Sequence, residues 1–93
     1  MMNSSNKLPR PNTKIFTILK HFATGRTLHR FQAEKIGDHT LNSSISGITR
    51  AYGLIFKSEW IKVPTNYDKP ARVKKYWLED EHLAKAQLLI ILS

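Results

Sequence analysis

Ser43, Ser46, Gly47 and Arg50 follow one another at steps of three, one and three residues, so an α-helix turning 100° per residue carries them on one side. Hydroxyls and a guanidinium on a shared helix face suit hydrogen bonding to the edges of stacked bases. Arginine offers two donors to a guanine, and short serines tolerate several base pairs. Arg50 is therefore the strongest candidate for base discrimination, while Thr40 and Asn42 stand where the start of such a helix meets a backbone or groove edge. A second group, Lys57, Tyr67, Lys69, Arg72, Lys74 and Lys75, follows within a short span, together with Lys62. Cations crowded there suit phosphate contact; the competing use is a solvated strand edge that discourages aggregation.

Residues that serve catalysis or metal binding are scattered. His21, His29, His39 and His82 fall on different elements without ligand spacing, and with no cysteine there is no thiolate to complete a zinc site. Asp38, His39 and Ser43 or Ser44 have the side chains of a nucleophilic triad, but in a turn and a helix start their capping hydrogen bonds account for them. Glu79, Asp80 and Glu81 suit the N-terminus of a helix better than a cation. The four glycines are isolated, so none builds a phosphate-cradling loop. The expectation is a protein with no enzymatic activity, no metal and no cofactor.

The elements that position the two groups follow from apolar spacing. Residues 1–11 are polar, contain Pro9 and Pro11, and read as a mobile basic arm carrying Lys7 and Arg10. After Asn12 as N-cap, Ile15, Ile18, Leu19 and Phe22 mark a first helix, stopped by Gly25. A short strand over 26–28 precedes a second helix over 29–36, with Leu28, Phe31 and Ile36 toward the core and small Ala33 admitting the next helix. Gly37 ends it, and Asp38 or Thr40 accepts the first free amides of a third helix with the core stripe Leu41, Ile45, Ile48 and Tyr52. Gly47 costs that helix about 1 kcal/mol relative to alanine, which suits a backbone approached closely by another surface. Gly53 closes the helix.

Beyond it, 54–63 and 73–78 alternate as paired strands, joined by a projecting loop with Pro64, Asn66, Asp68 and Pro70. Phe56, Trp60, Tyr76 and Trp77 are expected to build core rather than a stacking platform for single strands. The segment 79–93 reads as a last helix with an acidic start. Its Leu83, Ala86, Leu88, Leu89, Ile90, Ile91 and Leu92 cover nearly the whole circumference, more than one packing face needs.

At 93 residues and 41% hydrophobic content the chain buries one modest core. Its formal charge of +8 is unevenly spread: residues 1–37 carry +6, 38–53 are neutral, 54–77 carry +4 and 78–93 carry −2. Positive charge thus flanks the third helix and is absent from it in net, a division suited to gripping phosphates beside a neutral reading surface. The longest apolar run, 88–92, is too short to cross a bilayer, and the polar start lacks a signal peptide. With no cysteine for a disulfide framework, a cytoplasmic protein without a membrane partner is expected.

Leu28, Phe31, Ala33 and Gly37, then Leu41, Ile45, Ile48 and Gly53, then Phe56, Glu59 and Trp60, then Tyr76 and Leu78 resemble in type and spacing the small winged helix-turn-helix domains encoded by phages and prophages. The likeness covers about two-thirds of the chain. It departs in one place, where the apolar residues of the third helix arrive about two positions late and lengthen the turn. The resemblance implies an α+β winged helix-turn-helix over 12–78, a three-helix core plus a β-hairpin wing, with an extra C-terminal helix over 79–93. It further implies a protein of the bacterial host cell that binds double-stranded DNA, as a transcriptional regulator or accessory factor. A homodimer through the last helix would cover the apolar surplus and present two reading helices to a palindromic site. The competing expectation is a protein-interaction module in which that helix docks on a second protein.

Overall fold

A computed structural model describes residues 8–65 and 69–93. Residues 1–7 of the expected arm, Lys7 included, and the loop residues Asn66, Tyr67 and Asp68 lie outside the described residues. Element order is α1 (Lys14–Ala23), α2 (Arg30–Lys35), α3 (Leu41–Tyr52), β1 (Lys57–Val63), β2 (Ala71–Trp77) and α4 (Asp80–Leu92). Among the described residues the chain is α+β, with four helices and one two-stranded antiparallel hairpin, a layout compatible with a winged helix.

In α1, Ile18, Leu19, Phe22 and Ala23 are buried, as the helical period requires. Its cap is Thr13 and not Asn12. Thr13 Oγ1 accepts the Phe16 amide at 3.1 Å, while Asn12 takes φ +69°, a left-handed conformation that asparagine tolerates better than most residues. Pro9 is buried, and Leu8, Pro9 and Arg10 line a groove with Gly47, Ala51 and Tyr52, so residues 8–10 lie against the domain rather than extending from it.

A reciprocal cap opens α2: His29 Nδ1 accepts the Gln32 amide at 3.4 Å and Gln32 Oε1 accepts the His29 amide at 3.1 Å. Burial, with the Lys35 charge added, lowers the His29 pKa and favours the neutral ring that this acceptor role needs. The helix is shorter than its apolar spacing suggests. Ile36 is already the C-cap, out of helical phase, and is 37% exposed instead of facing the core. Leu28 forms a single bridge with Tyr76, exchanging two backbone hydrogen bonds of 2.9 Å, where a short strand is expected.

The hairpin pairs Trp60 with Lys74, Ile61 with Val73 and Lys62 with Arg72. Directly opposed residues share a face. Ser58, Trp60, Lys62, Arg72, Lys74 and Tyr76 therefore occupy one face, and Lys57, Glu59, Ile61, Val73, Lys75 and Trp77 the other. Buried Val73 lies on the second face, and Trp60 is 57% exposed. Trp60 thus departs from the expected core role, because its partners across the ladder are cations.

Buried Ala86 and partly buried Leu83, Leu89 and Ile90 join α4 to the core formed with α1, and Gln87 Nε2 donates to the Ala23 carbonyl at 3.1 Å. Leu88, Ile91 and Leu92 remain exposed on its other side. Asp80 and Glu81 occupy the first turn, where negative charge favours the helix dipole. Glu79 stands at the N-cap without capping by its side chain; its Oε2 accepts the Trp77 indole N–H at 2.6 Å. None of the described helices is long and apolar enough to cross a membrane.

Candidate nucleic-acid interface

Placement of α3 depends on the turn before it. Gly37 takes φ +92°, a left-handed value open to glycine without steric cost, and turns the chain into Asp38. Asp38 is fully buried; its Oδ1 accepts the Thr40 amide at 2.9 Å and lies 3.5 Å from Lys14 Nζ on α1. Neither candidate side chain takes up the free amides of α3: Thr40 stands at the N-cap without a side-chain cap bond, its hydroxyl donating to Asp38 Oδ1 at 3.3 Å, and Asp38 instead holds the turn through the Thr40 amide. The turn is thereby locked to α1, and α3 follows with Leu41, Ser44, Ile45 and Ile48 buried.

Burial of the Asp38 carboxyl pushes its pKa up, but the neighbouring Ser44 hydroxyl, the Thr40 amide and the Lys14 ammonium outweigh it and hold the group below its ordinary value. A folded-state pKa below the unfolded value of about 3.9 contributes stability that is present above that value and lost as pH falls through the folded pKa. Asp38→Asn is expected to cost about 1–3 kcal/mol at neutral pH, from the lost charge-assisted bonds, and to flatten the acid limb of a stability–pH curve. Denaturant melts of both proteins between pH 2 and 7 check this; parallel acid limbs would show that the turn draws nothing from the charge.

Asn42, Ser43, Ser46, Thr49 and Arg50 are all exposed along α3, so the polar face expected from spacing is open. Gly47 is half-buried beside the groove lined by Leu8 and Pro9. A Cβ built on it would meet nothing within 4 Å among the described residues, whose packing therefore does not require glycine there. Thr40 is exposed at the helix start.

The hairpin divides the basic residues that follow α3. Arg72 and Lys74 share a face with Trp60, their charged groups 5.0 and 5.6 Å from its ring centroid. Lys57 and Lys75 lie on the opposite face, where Lys75 pairs with Glu59 at 2.9 Å and stands 5.6 Å from the Trp77 ring. Lys69 is exposed at the loop, its carbonyl accepting the Thr65 hydroxyl at 2.9 Å. Tyr67 lies outside the described residues.

Among the described residues a side-chain hydrogen bond ties the hairpin to α3. Tyr76 Oη donates to Asn42 Oδ1 at 2.8 Å, and burial raises the pKa of that phenol, keeping it a donor. Around this bond Arg30, Leu41, Trp60, Arg72 and Lys74 line a cleft of about 250 Å³. Arg30 and Trp60 join the site only in three dimensions. Sequence alternation puts Trp60 on the same side as Lys62, but which side faces α3 is settled by the register and by Tyr76. Arg30 carried no periodic signal at all.

Among the described residues no group of three or more His, Cys, Asp or Glu is placed to hold a metal ion. No protein-family model matches this chain, and no curated protein or solved structure matches it either.

Proposed function

We propose that this protein binds double-stranded DNA and catalyses no reaction, α3 entering the major groove while the Arg72–Lys74 face of the hairpin grips the flanking phosphates as a wing. The observation that carries the reading is the Tyr76–Asn42 bond, which sets the open polar face of α3 beside a cationic strand face. Ser43, Ser46 and Arg50 then lie nearest the bases, with Thr40 and Asn42 at the groove edge. Gly47, unconstrained by its own domain, permits close approach of a DNA backbone. The resemblance to phage and prophage winged helix-turn-helix domains favours a regulatory or accessory role in a bacterial cytoplasm.

Selection of bound sequences from a random duplex pool, followed by Arg50→Ala on the selected site, tests the assignment. The substitution is expected to cost about 1–3 kcal/mol on that site and much less on random DNA. Equal losses on both would make Arg50 a phosphate contact and remove it from base reading.

A second reading concerns partners, and the exposed Leu88, Ile91 and Leu92 favour it. Pairing of α4 with a second copy covers these side chains and gives two reading helices for a palindromic site. Sedimentation equilibrium of the intact chain tests the dimer; a monomer would leave this side of α4 to a different protein, the interaction-module alternative.

A further inference from the structure

Trp60 is the anomaly of the hairpin. It is 57% exposed and lies outside the core cluster, with the charged groups of Arg72 and Lys74 over its ring. It stands over a cleft of about 250 Å³, below the roughly 300–1,000 Å³ of pockets that enclose drug-sized ligands, and so of a size for one planar ring system. The cations Arg30, Arg72 and Lys74 line the cleft, together with Asn42. Asn42 Oδ1 already accepts from Tyr76, which orients the side chain, and its amide N–H donors suit a carbonyl oxygen on a base edge.

We infer that this cleft receives an unpaired nucleobase of DNA, stacked on Trp60, with its phosphates held by Arg72 and Lys74 and its edge by Asn42. The inference rests on the reading of α3 and the hairpin as a duplex-binding surface, which it extends to DNA where a strand leaves the duplex. Paired bases do not fit this role, since their faces are covered by their neighbours in the stack; an unpaired base exposes the π-face that an aromatic ring recognises without regard to sequence. The cleft opens between the first turn of α3 and the hairpin. A base entering it therefore adjoins the duplex bound by both, and the protein would prefer a junction over a blunt end.

The test compares a blunt duplex with the same duplex bearing a single-stranded thymidine tail of about ten nucleotides, a length within the usual site size of single-strand binders, at either end. Affinity is read by anisotropy of labelled DNA. In a Trp77→Phe variant Trp60 is the sole tryptophan, so its emission reports stacking directly. The tailed duplex is expected to bind about tenfold tighter than the blunt one, the gain typical of one base stacked on an aromatic ring, and to quench Trp60 emission. Trp60→Ala should abolish the ratio between tailed and blunt DNA, and Trp60→Phe should keep most of it. Equal affinity for both DNAs, or a ratio that survives Trp60→Ala, overturns the inference. The two readings fail separately: tail preference on tailed DNA with no binding of blunt duplex sinks the duplex reading alone, and duplex binding without tail preference sinks this one alone.

Discussion

Phe22→Ala is expected to lower the unfolding free energy by about 3–5 kcal/mol, the usual cost of emptying an aromatic site in a close-packed core. Phe22 has no exposed surface and meets Phe56 in an edge-on pair with ring centroids 4.8 Å apart. It lies on α1, the helix to which Asp38 anchors the turn and against which α4 packs, so a cavity there loosens everything that holds α3. Against a total stability of about 5–15 kcal/mol for an ordinary domain, the loss is a large fraction. Denaturant unfolding monitored by circular dichroism measures it. A midpoint equal to that of the parent would mean that the core is organised around some other residue.

The second large effect is ionic. If Arg30, Lys62, Lys69, Arg72 and Lys74 make about five phosphate contacts, as the proposed surface implies, log K should fall against log salt with a slope near −5. Raising salt from about 50 to 200 mM is then expected to weaken duplex binding about a thousandfold. The hairpin sharpens the prediction, because its two faces carry different cations. Replacing Arg72 and Lys74 together by alanine should make the slope shallower by about 2, one unit for each contact. The same change at Lys57 and Lys75 should alter it less, since Lys75 already pairs with Glu59 on the far face. If the Lys57 and Lys75 variant shows the larger change, the wing presents its other face to DNA.

Much of the scaffold was legible because local rules and tertiary packing agree. The stripe Leu41, Ile45, Ile48 is apolar at helical period and is buried in α3, and Gly37 and Gly53 stand where the chain needs positive φ. Alternation likewise marked both strands of the hairpin. What escaped were features decided by a distant partner. Period-two spacing says which residues share a strand face but not which face is covered. Since β1 carries Trp60 on one side and Ile61 on the other, only its pairing with Val73 and Lys74 decides between them.

Caps failed for a similar reason. Asn12 and Thr13 both qualify by type, and the difference lies in the backbone angle at which the chain enters α1. Asp38 is a turn and cap residue by type and place; its full burial and its ion pair with Lys14 of α1 are tertiary features that sequence spacing does not encode. In the candidate site the exposed residues of α3 were readable, whereas Arg30 and Trp60 required the cleft. Pro9 belongs with these, a residue of an apparently free arm that packs beside α3.

The face formed by α3 and the hairpin is proposed to bind duplex DNA. The most direct test of that binding is an electrophoretic mobility shift of the intact chain with a blunt, random-sequence duplex at about 50 mM salt, where phosphate contacts bind with little regard to sequence. A retarded complex is expected, and it should weaken when Arg72 and Lys74 are both replaced by alanine. No retardation at that salt, or retardation indifferent to those two residues, would contradict the proposal.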